Sequence, residues 1–272
     1  MYMSLFNKTK KYLTAICASV LCATCVPFSA IADGYDKYDV NHDGSVDKYD
    51  LVLVSLGCGN DSIAYTSYIY NDNGETEPVI TSEYIGYNDE LDALVKENAD
   101  FNNDGLVTDL DYFILAEHLF ETGAFVSDLN RDGLFSIDDL NLLLQYSGRT
   151  DGKTLSELES LAADNSDYAY IKQCGSYSSG DIVSFWDVYL LIRHFISSHK
   201  LGDVNTDGVV DSRDASLILS YYVSVQTNYA SFDLSSDEIN LIKMLGDVNG
   251  DNKITAVDAS IILSDYTENQ TY

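Results

Sequence analysis

The sequence predicts a mainly α-helical protein assembled from tandem loop–helix repeats that pair into three modules. Three observations carry this. An acidic twelve-residue pattern recurs five times in one register. Each copy runs into a stretch whose apolar residues return three and four positions apart. Helix-like connectors alternate with short ones, which groups the repeats in twos.

Taken from the N-terminus, Lys8, Lys10 and Lys11 precede an uncharged run at 12–26, followed by Ser29-Ala30-Ile31-Ala32. A basic start, a short apolar run and small residues at −3 and −1 make a secretory signal over 1–32, with cleavage expected after Ala32. The run is too short to span a bilayer, which takes about 20 helical residues. The whole chain has 15 basic and 44 acidic residues and a net charge of −29, and the leader contributes lysines but no acids. Such an excess argues against nucleic-acid binding and against docking on an anionic membrane. It fits a secreted, extracellular protein or one that takes up cations. Outside the leader only Cys58 and Cys174 remain, free to pair in an oxidising exterior or to stay as thiols.

The five copies are DVNHDGSVDKYD (39–50), DFNNDGLVTDLD (100–111), DLNRDGLFSIDD (128–139), DVNTDGVVDSRD (203–214) and DVNGDNKITAVD (247–258). Each has Asp at positions 1, 5 and 12 and Asn at 3, and position 9 always carries a side-chain oxygen. Calcium chemistry calls for this spacing. Ca²⁺ takes six to eight oxygens at roughly 2.3–2.6 Å, drawn from positions 1, 3, 5, the carbonyl of 7, position 9 and position 12 of such a loop. The expected ligands of the first loop are Asp39, Asn41, Asp43, Ser45, Asp47 and Asp50. Those of the second are Asp100, Asn102, Asp104, Leu106, Thr108 and Asp111, and those of the third Asp128, Asn130, Asp132, Leu134, Ser136 and Asp139. The fourth offers Asp203, Asn205, Asp207, Val209, Asp211 and Asp214, and the fifth Asp247, Asn249, Asp251, Lys253, Thr255 and Asp258. Residues at position 7 (Ser45, Leu106, Leu134, Val209, Lys253) act through the main-chain carbonyl. Position 6 is Gly in four loops, as a sharp turn at positive φ requires, and Asn252 in the fifth. Position 8 is always apolar: Val46, Val107, Phe135, Val210 and Ile254. Bound cations would offset the repulsion among these carboxylates.

A helix is expected after each loop, and one before the second loop of each pair: NDELDALVKENA (88–99), LSELESLAADN (155–165) and SSDEINLIKML (235–245). A sixth, damaged copy, SYSSGDIVSFWD (176–187), keeps Val183 and Asp187 but has Ser176, Ser178 and Gly180 at positions 1, 3 and 5, so it should not hold Ca²⁺ well. It completes the second pair. The modules are then 33–122, 123–199 and 200–272. The first carries an insertion at 62–88, expected to form a β-hairpin in part or an ordered surface loop.

Two features depart from an ordinary EF-hand: position 12 is Asp rather than Glu, and the first loop has no room for an entering helix. Tandem loop–helix units introduced by GDVN (202–205 and 246–249) resemble the dockerin family, most closely over 202–268. The resemblance implies a fold of two calcium-dependent loop–helix units about a pseudo-twofold axis. It implies a cohesin module, on a scaffold or cell-surface protein of a cellulosome-type polysaccharide-degrading complex, as partner. It also implies contact residues beside the loops: Ser212, Arg213, Leu219, Ser220 and Ser224 in one unit, and Ala256, Val257, Leu263, Ser264 and Glu268 in the other. The near-repeat of DASLILSYY and DASIILSDY implies two binding orientations.

No catalytic function is expected. The three modules leave no block large enough for a catalytic domain, GxSxG and HExxH are missing, and His42, His118, His194 and His199 are scattered. A secreted, calcium-dependent, non-catalytic adaptor is therefore the expected function. The alternative is an extracellular calcium-binding structural or carbohydrate-binding surface protein, for which the tyrosines of 62–88 would supply the stacking platforms. Calcium buffering or sensing fits less well, because sensors use Glu at position 12.

Overall fold

The computed structural model describes residues 36–58, 68–70, 76–78, 88–150, 157, 160–161, 165–178, 183–227 and 234–269. The leader at 1–32, most of 62–88 and most of the helix expected at 155–165 lie outside the described residues. Among the described residues the structure is mainly helical: α1 (Lys48–Gly57), α2 (Asp89–Asn98), α3 (Asp109–Glu121), α4 (Ile137–Thr150), α5 (Ser166–Cys174), α6 (Phe185–Ser198), α7 (Ser212–Thr227), α8 (Ser236–Leu245) and α9 (Ala256–Asn269). Two three-residue strands, β1 (Tyr68–Tyr70) and β2 (Thr76–Pro78), pair antiparallel with Tyr68 opposite Pro78. No described helix is long and apolar enough to cross a membrane.

The helices after the loops start where they do because the loop ends in a capping box. Loop position 9 is the N-cap and position 12 is N3, the spacing at which two side chains satisfy each other's backbone amides. Asp47 with Asp50 caps α1 in this way, and Thr108 with Asp111 caps α3. The connecting helices α2 and α8 start on Asn88 and Ser235, close to the expected spans. The helix entering the sixth repeat is α5, capped by Asn165, and it begins where the expected helix at 155–165 ends.

The described chain divides into two compact units, one ending at His194 and the other beginning at Phe195. Where separate modules are expected at 33–122 and 123–199, the residues from 36 to 194 form a single unit. In it α1 packs on α2 and α3, and α4 packs on α5. Leu51, Leu53, Leu115, Leu119, Leu140 and Leu143 are buried in its interior. Aromatic side chains join the two expected modules. Tyr177, fully buried, lies edge-on to Phe120 (ring centroids 4.9 Å apart) and beside Phe125, and donates a hydrogen bond to the Val126 carbonyl at 2.6 Å.

In the second unit α7 packs along α9, and α8 closes against α7. Val204, Ile218, Ile242, Leu245 and Ile262 are buried. Gly202 sits at φ +93 with its amide donating to the Leu245 carbonyl at 2.8 Å, and a Cβ there would lie 3.1 Å from Val210. The glycine of the first GDVN motif is thus fixed both by backbone conformation and by packing.

Replacing Tyr177 by Ala should lower the stability of the unit ending at His194 by about 3–5 kcal/mol, through lost ring burial and an unpaired carbonyl. The transition of the unit from Phe195 onward should stay where it is. Calorimetry that resolves the two melting transitions checks this.

Candidate functional site

The five acidic loops share one hydrogen-bonded frame. In the second loop, the Asp104 and Gly105 amides donate to the two carboxylate oxygens of Asp100, at 3.1 and 2.8 Å. The Asp104 amide also donates to Asn102 Oδ1 at 2.9 Å, and the Leu106 amide to Asp104 Oδ1 at 2.9 Å. Asp111 closes the loop: its Oδ1 accepts from the Phe101 and Asn102 amides, its Oδ2 from the Thr108 amide at 2.9 Å. The third loop repeats this around Asp128, Asn130, Asp132 and Asp139. Asp39, Asn41, Asp43 and Asp50 do the same in the first. So do Asp203, Asn205, Asp207 and Asp214 in the fourth, and Asp247, Asn249, Asp251 and Asp258 in the fifth. Positions 1, 3, 5 and 12 of each loop are thus joined in one hydrogen-bonded frame, while at position 9 Asp47 turns to the Tyr49 amide and Asp211 to Arg213.

The turn itself is more demanding than the sequence reading supposes. Position 6 is left-handed in every loop, at Gly44, Gly105, Gly133, Gly208 and Asn252 (φ +63). Position 4 is left-handed too, and there four side chains accept a conformation that favours glycine: His42, Asn103, Arg131 and Thr206, with Gly250 in the fifth loop. Asn103 and Gly250 were the sequence clues to this second position; His42, Arg131 and Thr206 gave none. Position 2 was also missed. Val40, Leu129 and Val204 are buried and anchor the loop to the core.

Among the described residues, no group of three or more His, Cys, Asp or Glu side chains is assembled as a metal site. The physical reason lies in the frame: the carboxylates are directed at loop amides, and each ligand set includes Asn and a main-chain carbonyl. The donor chemistry nonetheless fits a hard cation, since every donor is oxygen. The position-12 aspartates Asp50, Asp111, Asp139, Asp214 and Asp258 are fully buried. Burial raises the pKa of Asp50 to about 6 and moves Asp111, Asp139 and Asp214 upward, against the pull of the amides. A divalent cation beside these groups would remove the penalty.

The fourth loop holds a cation of its own. Arg213 pairs with Asp207 at 2.7 Å and with Asp211 at 2.8 Å, and holds the Asp211 carboxyl below its usual range. Beyond it, Ser212, Leu219, Val257, Leu263, Ser264 and Glu268 are exposed, and Ser220, Ser224 and Ala256 are half-buried. These expected contact residues follow the outer sides of α7 and α9. Between them, Ser216 donates its hydroxyl to the Ser212 carbonyl, Ser220 to Ser216, and Ser260 to Ala256, at 2.7–2.8 Å.

Residues 201–264 match the family model of the dockerin type I domain. This segment is a type I dockerin domain. The matched dockerin contains the fourth and fifth loops, α8 and the outward faces of α7 and α9; the earlier loops lie outside the match. Dockerin domains bind cohesin modules in cellulosome-type complexes and are generally calcium-binding. Comparison with curated proteins and with solved structures gives no match.

The single Trp is engaged within its unit. Trp186 stacks on Tyr189 at 4.8 Å and donates its ring N–H to the Tyr112 hydroxyl. Cys58 and Cys174 are both free thiols, and burial beside Asp109 and Asp111 pushes the Cys58 thiol up to about 12.

An aspartate that is harder to ionise folded than unfolded costs stability as pH rises from its unfolded to its folded value. For Asp50 that window runs from 3.8 to about 6. With chelator present, acidifying from about pH 7 to about pH 5 should therefore raise the melting temperature. In saturating calcium the same change should lower it, because protons then compete with the ion for the same oxygens. Circular dichroism melts in the two buffers check the opposite signs.

Proposed function

We propose that the protein is a secreted, non-catalytic adaptor whose C-terminal dockerin binds a cohesin module, on a scaffold or cell-surface protein of a polysaccharide-degrading complex, in a calcium-dependent manner. The observation that carries the reading is the dockerin segment 201–264, together with the exposed apolar stripe it presents beside its two loops. Leu219, Val223, Val257 and Leu263 are exposed there. Apolar side chains lose water on docking, which favours association.

Calcium has a structural role in this reading. Asp203, Asn205, Asp207, the Val209 carbonyl, Asp211 and Asp214 would hold one ion. Asp247, Asn249, Asp251, the Lys253 carbonyl, Thr255 and Asp258 would hold the other. When bound, the ions balance the buried Asp214 and Asp258 and fix the starts of α7 and α9, from which the docking residues project. An ion that binds only the folded loop stabilises it by roughly 2.7 kcal/mol at a hundredfold excess over Kd. The three earlier loops take the same ligand pattern, and the organisation into a leader and three repeat pairs belongs to this proposal.

The test is capture of the full chain by a panel of type I cohesins, with calcium and with EDTA. Binding should appear with calcium and vanish with chelator. Leu219→Glu combined with Leu263→Glu should weaken capture about tenfold or more while helix content stays constant. Binding that ignores both EDTA and the double substitution would overturn the reading.

A further inference from the structure

Among its described residues the sixth repeat keeps the position-12 closure of the loops, while its sequence lacks their ligands. Asp187 is fully buried; its Oδ1 accepts from the Ser178 amide and hydroxyl, its Oδ2 from the Ser184 amide and hydroxyl, at 2.6–2.9 Å. The hydroxyls supply part of what an ion would. The rest of the repeat is applied to the first pair. Lys48, at position 10 of the first loop, donates to the Ser176 carbonyl at 2.5 Å. Trp186, at position 11 of the sixth, bonds the Tyr112 hydroxyl at 3.1 Å. The Arg193 guanidinium lies 4.0 Å over the Phe113 ring. His194 stacks on Phe120 at 4.3 Å and meets Glu117 at 2.9 Å.

Compared position by position, the two units treat the same surface differently. The outward positions Leu219 and Ser220 of α7 correspond to Leu263 and Ser264 of α9 and to Ala116 and Glu117 of α3. Leu219 and Leu263 are 37% and 38% exposed, whereas Ala116 is 3% exposed and Glu117 is engaged by His194. Ser55, the counterpart of Leu219 in α1, is buried. Among the described residues, every exposed large apolar side chain past the first turn of a helix belongs to α7 or α9.

We propose that the sixth repeat is an internal occupant: it covers, within the chain, the loop–helix positions that the C-terminal dockerin leaves open. The chain then carries one cohesin-docking surface, that of α7 and α9, rather than three. This valence rests on the docking reading above. The damaged ligand set follows from the same arrangement. Among the described residues of this loop one carboxylate, Asp187, is to be balanced, and Lys48, two serine hydroxyls and an aromatic interface hold the loop in place of an ion.

Hydroxyl-radical footprinting of the full chain in calcium, with and without a type I cohesin, tests this alongside native mass spectrometry. Without cohesin, Phe113 and Tyr189 should label slowly, and Leu219 and Leu263 readily. Added cohesin should protect only the latter pair, and the complex should remain one to one in excess cohesin. Rapid labelling of Phe113 and Tyr189 would overturn the internal contact, and two or more cohesins per chain would overturn the single valence. Capture of no cohesin would refute the docking reading itself, while the cohesin-free footprint would still decide whether the sixth repeat covers the first pair.

Discussion

One buried aspartate per repeat holds this architecture together. At position 12 it ties the start of the loop, through the amides of positions 2 and 3, to its end, through the amide of position 9. It is at once the third residue of the following helix and a partner in that helix's cap. Asp111 and Asp187 show the arrangement with and without a full ligand set around it. Because the carboxylate is buried, something must balance its charge. In the proposed reading a cation does this in the five acidic loops, whereas in the sixth two serine hydroxyls donate to Asp187 at 2.8–2.9 Å.

The repeat makes half of this molecule readable from its letters. The register of Asp, Asn, Asp and Asp points to each loop, and the nine-to-twelve spacing places the first turn of each following helix. Asn252 adopts the left-handed turn that the fifth loop needs. The short span of α5 was harder to see, because SDYAYIKQC has no clear apolar stripe and its starting signal is a single Asn. The buried residue at position 2 was hidden inside the D-V-N string, where the acidic neighbours drew attention to ligands instead.

What the letters do not carry is the joining of the first two pairs. Tyr112 and Trp186 are far apart in sequence, as are Glu117 and His194, and no local periodicity links them. Each taken alone reads as an ordinary helical aromatic or a scattered histidine. Their meaning depends on α6 lying against α3, which is a property of the assembled unit. The same holds for Arg213: spacing places it beside the fourth loop, but its choice of Asp207 and Asp211 over solvent is a matter of geometry.

The serines along α7 and α9 give the proposed docking face a chemical polarity. Ser216, Ser220 and Ser260 each spend their one proton on a carbonyl of their own helix. At these three positions only lone pairs are turned outward. A partner group meeting them must bring the proton, from an amide, a hydroxyl or an ammonium group.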